Sequence, residues 1–434
     1  MKVVIIGAGL AGLAASDALA AAGREVEVFE ANPYWGGRIH SVSEGGFVFD
    51  EGPHVSFTTD KNVQDVFTRG AGEVEEFSAR ITNAFRGHWI THPAQCHLYG
   101  LDLGLVTDCI ADFVSAQQNP PEMITYADWC YAMFGKTFSE NFAFAYTRKY
   151  WTREAADLST DWVEVRMYPP KLKEVIRGAL EPEQKGNFHY LTRFRYPTKG
   201  GYQSFLRAMV RPDLIRLEKR VSRLDIRGKR IFFNDGTFSP YDRLISTMAL
   251  PSLIGVISPE QVPREVQLAA EKLSCSSLVL VDVAVNRRDL FHHHWFYVYD
   301  EEISFARGHF PHMLSPCNAP EGQGSIQLEI YHSPFRPLPC ESSNLPGRVG
   351  EELVKLKILA SEREILWIRH RDIQYANVIF DENRAGALSV IYPWVKSHDI
   401  FLAGRYGEWG YLWSDDATRS GWKAAAQIIN PDVA

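Results

Sequence analysis

No apolar run in these 434 residues is long enough to span a bilayer, so an integral membrane protein is not expected. Cysteine is sparse. Cys96, Cys109, Cys130, Cys275, Cys317 and Cys340 are scattered and form no CxxC pair. That excludes a zinc ribbon or a disulfide framework as the organising device and points to free thiols in a reducing cytosol. Positive charge is not in surplus either. Lys and Arg number 46 against 53 Asp and Glu, a net charge of −7. Nothing therefore draws the chain generally to nucleic acid or to an anionic membrane, while a local basic pocket for a phosphate-bearing ligand is compatible with that balance. Internal repeats and low-complexity linkers are absent. No targeting segment is visible, because the apolar start is itself a strand, and a cytoplasmic protein is expected. His292, His293 and His294 are consecutive, so they cannot converge on one ion, and no metal site is expected.

What is present is concentrated in the first 38 residues. Val3-Val4-Ile5-Ile6 reads as a buried parallel strand, and Gly7-Ala8-Gly9-Leu10-Ala11-Gly12 follows it without a gap. A helical stretch, a second strand Val26–Phe29 and then Glu30 complete the order. This is the sequence of a dinucleotide-binding βαβ unit. Gly7 permits the tight turn, Gly9 lets backbone approach a pyrophosphate, and Gly12 allows close helix–strand packing. Leu10 and Ala11 open the helix, whose free N–H groups and partial positive charge suit phosphate. Glu30, followed by Ala31, stands where a carboxylate accepts hydrogen bonds from a ribose. Gly36-Gly37-Arg38 then adds a second flexible turn and a guanidinium able to grip phosphate in a bidentate manner.

This continuation resembles the flavin-containing amine oxidase superfamily, which includes protoporphyrinogen oxidases and UDP-galactopyranose mutases. The resemblance implies an α/β fold. A Rossmann-like FAD-binding domain of the glutathione reductase type is expected from residues 1–75, 200–254 and 386–434. It would be interleaved with a mixed α+β substrate domain from 76–199 and 255–385. At this length one ordinary core is exceeded and two domains are expected. Gly36, Gly37 and Arg38 would lie along the FAD diphosphate. The Gly52-Pro53-His54 loop, which looks mutase-like, would pass near the isoalloxazine, and the backbone of Val221 would meet the adenine. At the C-terminus Gly404 and Arg405 would sit by the diphosphate and ribityl chain. Trp409, Tyr411 and Asp415 belong to the same block, which opens the last helix toward flavin N1. Covalent attachment in some relatives uses a cysteine near the C-terminus. Cys340 is the last cysteine here, so non-covalent FAD is expected.

Candidate chemistry is thinner. His54 suits proton handling near neutral pH, but a loop-holding histidine reads equally well. Arg307 stands like an arginine that some relatives place over the flavin, against the plainer reading of a cross-strand ion pair. Arg148 and Lys149 lie in Tyr146-Thr147-Arg148-Lys149-Tyr150-Trp151, where cations interleaved with aromatics suit an anionic ring-bearing substrate, and Tyr202 follows a Gly-Gly turn. Three functions are carried forward. The first is a FAD-dependent oxidoreductase passing hydride from a polar small molecule, a nucleotide-sugar or an amine, to flavin N5. The second is a redox-neutral sugar-ring isomerase using reduced FAD, and the third a FAD-holding scaffold. The run Arg166-Met167-Tyr168-Pro169-Pro170 departs from the arginine-rich stretch of true mutases.

Overall fold

The computed structural model describes residues 1–163, 166–182, 184, 186, 188–189 and 191–430. Val3, Val4, Ile5 and Ile6 are all but inaccessible to solvent, which a strand covered on both faces requires. The strand Lys2–Ile6 is flanked in parallel by Glu25–Phe29 on one side and Arg243–Ser246 on the other. Ile215–Arg216 and Ile400–Leu402 close the two edges of this five-stranded sheet. The helix Leu10–Ala21 crosses between the first two strands and packs on the final helix, Ser414–Ile429.

A meander of Val221–Asp225, Arg230–Phe233 and Phe238–Pro240 turns at Gly236 and lies beside that sheet. The chain leaves the parallel sheet after Arg216, because Glu218 takes a left-handed φ of 58° and Lys219 N–H donates to the Glu30 carbonyl at 2.7 Å. Val221 then begins a separate strand.

The second sheet has seven strands, in the order Ile365–Ile373, Ser277–Val285, Gly324–His332, Arg307–His309, Trp295–Val298, Ile81–Phe85, His88–Thr91. Alternation along Gly324–His332 is decisive. Ile326, Leu328 and Ile330 enter an apolar core with Val279, Val281 and Val283. Gln327, Glu329 and Tyr331 point to the opposite face, where Gln327 Nε2 donates to the Asp50 carbonyl at 2.8 Å. The polar face of this sheet therefore looks toward the parallel-sheet unit. Helices Leu103–Gln118 and Tyr126–Phe134 and the helical run 136–150, which carries a wide π turn at Ser139–Ala143, form the remaining lobe. The expected limits at 75 and 386 fall inside a strand, Val74–Ser78, and a helix, Glu382–Ser397.

Candidate functional site

The first βαβ turn is set by contact, not by preference alone. A Cβ on Gly12 would lie 2.0 Å from the Gly7 carbonyl oxygen, so no side chain fits there. Gly9 has no side-chain cap, which leaves the first N–H groups of the helix Leu10–Ala21 unclaimed by any capping residue. Gly36 N–H donates to Ala8 O at 2.9 Å, and Gly36 and Gly37 both take positive φ. The two glycine turns thus meet backbone to backbone. Glu30 is buried at the end of the second strand. Its Oε2 accepts from Ala8 N–H and its Oε1 from Asn32 N–H, both at 2.9 Å, and each oxygen keeps a lone pair for a further donor. Ala31 adjoins it. The Arg38 guanidinium is 3.4 Å from Glu51 Oε2 and still over a third exposed, at 37%. Val221 is buried and pairs with Phe233, whose ring meets Phe29.

The C-terminal block arrives from the edge strand Ile400–Leu402. Gly404 N–H donates to Ser420 Oγ at 2.7 Å. Arg405 Nη2 donates to Asn377 Oδ1 at 2.8 Å and its guanidinium lies 4.6 Å from the Tyr411 ring centroid, while its buried Nε has no hydrogen-bond partner among the described residues. Trp409 takes a φ of 47° and is sunk in the core against Tyr375, with its carbonyl bound by Arg384 at 2.6 Å and its buried indole Nε1 without a partner among the described residues. Asp415 is largely buried and pairs with Arg419 at 3.2 Å. Asp416 takes the capping role, accepting Trp413 N–H at 3.0 Å.

Between these blocks stands a wall of tyrosines and arginines. Arg307 and Glu329 are register partners on adjacent strands. Arg307 Nε donates to Glu329 Oε2 and Nη2 to Oε1 at 3.1 Å, and Nη2 also meets Tyr331 Oη at 3.4 Å. The same guanidinium lies 5.5 Å from the Tyr150 ring. Tyr150 and Tyr411 share a hydroxyl hydrogen bond of 2.9 Å. Arg166 lies over Tyr411 at 4.4 Å and Trp413 at 4.5 Å, and donates to the Tyr411 carbonyl at 2.6 Å. Its Nε is buried and unpartnered among the described residues. Burial pushes the Tyr146, Tyr150 and Tyr331 hydroxyls well above the usual phenol range, so they stay neutral.

His54 belongs to this wall. Its Nε2–H donates to the Arg38 carbonyl at 2.8 Å, with the Glu51 carbonyl at 3.3 Å. Burial, with Arg307 and Arg405 adding to it, lowers its pKa to about 4, so the ring is neutral at pH 7. The imidazole therefore fixes the Gly52–His54 loop and is no general acid at neutral pH. Gly52 itself takes a φ of 107° and a Cβ there would stand 3.5 Å from Glu329 Oε1, which places the loop against the ion pair. Pro53 fixes the turn between the two.

Three expected substrate contacts are relocated. Arg148 forms a two-point pair with Glu301, at 2.9 and 2.7 Å, on the outer surface. Lys149 is buried, and its Nζ donates to the carbonyls of Val298 at 3.0 Å and Asp300 at 2.8 Å. Burial lowers its pKa to about 7. It tethers the tyrosine-bearing helix Phe144–Tyr150 to the sheet and does not open to a cleft. Tyr202 brings its ring to 5.5 Å from His54, but its hydroxyl is taken by Ser414 Oγ at 2.7 Å.

Asp50 was given no role by sequence and has one. It accepts from Ser41 Oγ at 2.5 Å, Tyr196 Oη at 2.6 Å and Tyr202 N–H at 2.9 Å. It thereby locks the Tyr202 turn to the strand that feeds the His54 loop. Burial outweighs those donors and raises its pKa to about 6. The folded state then binds a proton more tightly than the unfolded chain. Stability is expected to fall as pH rises from about 4 to about 6, by about 3 kcal/mol for a two-unit gap. Urea unfolding of Asp50→Asn at pH 4.5 and 7 tests this. The variant should lose that share of the wild-type pH slope, and an unchanged slope would exclude Asp50 as its source.

Comparison with known proteins gives the wider frame. The family model described as flavin containing amine oxidoreductase matches residues 10–350. The chain belongs to that family. It is accordingly a flavin-dependent enzyme family member with the expected Rossmann-like core. A crystal structure of reduced UDP-galactopyranose mutase superposes with a TM-score of 0.93 at 24% identity, over 100% of this chain and 96% of that one. Cyclohexylamine oxidase from Brevibacterium oxydans IH-35A gives 0.72 at 16% identity, over 99% of each chain. Both likenesses are of fold. The 4,4'-diapophytoene desaturase of Staphylococcus aureus (strain Newman) is 42% identical over 77 residues, which are 18% of this chain and 15% of the desaturase. No helix among the described residues is long and apolar enough to cross a membrane.

Proposed function

We propose that this protein is a FAD-dependent enzyme of the cytoplasm that acts on an anionic, ring-bearing small molecule of the nucleotide-sugar class. One observation carries the reading. Three guanidiniums gather on one tyrosine pair: Arg166 and Arg405 lie over Tyr411, Arg307 lies beside Tyr150, and of the three Arg307 is the one paired to a carboxylate, Glu329. Two of the three, Arg166 and Arg405, keep a buried N–H without a partner among the described residues, and such donors call for an acceptor. A protonated amine would meet net repulsion there, whereas a diphosphate gains paired donors and a sugar or base gains aromatic faces.

The same residues suit FAD. The paired glycine turns leave the cradle that a pyrophosphate needs, Glu30 keeps acceptor capacity for a ribose, and Arg405 Nε supplies a donor without a partner. FAD would be held non-covalently by Gly7–Gly12, Glu30, Gly36–Arg38, Val221 and Gly404–Arg405, on a domain made from 1–75, 200–254 and 386–434. When bound it supplies two-electron chemistry. The chain's own work is to orient the substrate, exclude water and hold the loop of neutral His54 in place. The raised tyrosines stay protonated and His54, with its pKa lowered to about 4, is only a weak base, which suits a C–H bond cleaved as hydride from an already neutral group. A redox-neutral ring isomerisation is the second reading. It is favoured by Arg166 and Arg405, whose spare donors would retain a displaced diphosphate beside the sugar.

Anaerobic mixing of the oxidised holoenzyme with UDP-sugars separates the two. Bleaching of the flavin band marks hydride transfer. Furanose product formed only after dithionite reduction marks isomerisation. Under either reading Arg166→Met should raise KM about tenfold or more with kcat little changed. A panel of amines that bleaches the flavin when no UDP-sugar perturbs it would overturn the anionic substrate.

A further inference from the structure

We propose that the helix Leu172–Leu180 docks the protein on the surface of an anionic phospholipid bilayer. The helix is amphipathic in the wrong sense for a globular core. Its buried residues are Val175 and Gly178. Its large apolar residues, Leu172, Ile176 and Leu180, follow one another at i, i+4 and i+8 and are 39%, 37% and 72% exposed. The fold does not need them turned inward, because the helix is clamped by backbone. A Cβ on Gly178 would stand 1.8 Å from the Cys96 carbonyl oxygen, and Tyr99 N–H donates to Gly178 O at 2.8 Å. That contact brings in Tyr99, with Leu103 four residues on, and these are 49% and 76% exposed.

Charge identifies the occupant. Lys171, Lys173 and Arg177 are exposed along the helix. Its acid, Glu174, is turned back to accept from Lys171 N–H at 2.8 Å and the Tyr168 hydroxyl at 3.0 Å. Glu181 and Asp102 lie at the ends, Asp102 capping Leu105 N–H at 3.0 Å. An apolar stripe edged by cations matches an interfacial helix that sinks side chains below anionic headgroups. A second copy of the chain fits less well. Five apolar residues are a small core beside the roughly 20 to 30 residues a side of a stable interface. A two-fold axis would also set the cations of one helix against those of the other. The overall charge of −7 opposes general adsorption, so attachment through this face alone would fix one orientation.

Co-sedimentation of the full-length holoenzyme with phosphatidylcholine vesicles, with and without phosphatidylglycerol, tests the proposal. The wild type should partition onto the mixed vesicles and release with rising salt. Leu172→Ser, Ile176→Ser and Leu180→Ser together should lower partitioning about tenfold or more. Lys173→Glu with Arg177→Glu should abolish the preference for phosphatidylglycerol. Both variants should keep the wild-type flavin spectrum, and the serine variant, which gives up the part-buried faces of Leu172 and Ile176, should melt somewhat lower but still cooperatively. Wild-type protein that stays in the supernatant with both vesicles, or a triple-serine variant that partitions like it, would overturn the proposal. So would a wild-type dimer that the serine variant converts to monomer.

Discussion

Glu329→Leu is expected to destabilise the protein by about 3 kcal/mol, because it leaves the Arg307 guanidinium without its carboxylate. Glu329 is 2% exposed and Arg307 23%, so the arginine recovers part of its hydration and the cost falls at the low end for a buried pair. The structural and functional shares of this pair are separable. Arg307→Met alone strands a buried carboxylate and should cost at least as much. The double variant Arg307→Met, Glu329→Leu removes both charges and should return to within about 1 kcal/mol of wild type. If the pair only braces the sheet, the double variant should also recover ligand response. If Arg307 faces an anionic substrate, stability returns while KM for a UDP-sugar stays raised. Urea unfolding and flavin spectral titration on the four proteins close the cycle. Additive losses in both would show that the two residues do not act as a pair.

The difference between what was and was not legible in the sequence follows from range. The Gly7–Glu30 unit was readable because strand, turn, helix and acid are local and each residue's reason lies within a few neighbours. The Arg307–Glu329 contact depends on sheet register over 22 residues, and only an ordinary cross-strand pair was foreseeable. Arg148 and Lys149 show the limit on a helix. Adjacent residues differ by about 100° in direction, so one reaches Glu301 at the surface and the other two buried carbonyls, and neither enters the wall. Arg166 is the reverse case. Its stretch lacks the arginines of true mutases, yet the chain brings it over Tyr411, 245 residues away. Asp50 lies two residues before the Gly52 loop, but its burial and its three donors come from three separate segments. Nothing local announces the positive φ of Trp409 or the burial of its indole.

Gly12→Ala should abolish flavin retention through the purified protein, with apparent flavin affinity lowered about a hundredfold or more. The added methyl would occupy a point 2.0 Å from the Gly7 carbonyl oxygen and 3.5 Å from Ile5 Cγ2. The carbonyl is backbone, so the clash cannot be relieved by rotating a side chain. Either the turn Gly7–Gly9 opens or the helix Leu10–Ala21 lifts from the sheet. Both movements carry away the helix N-terminal N–H groups and separate Gly9 from Gly37, whose backbones are in contact. The helix also packs on the last helix, so the disturbance reaches the Gly404–Arg405 turn. A neighbouring control isolates the cause. Ala15→Gly, on the same buried helix but away from the turn, should cost about 1 kcal/mol of helix propensity and leave flavin bound. Absorbance of the flavin band per protein, with titration of FAD into refolded apoprotein, gives the readout. Full flavin content in Gly12→Ala would mean that the glycine turn is not where the diphosphate lies.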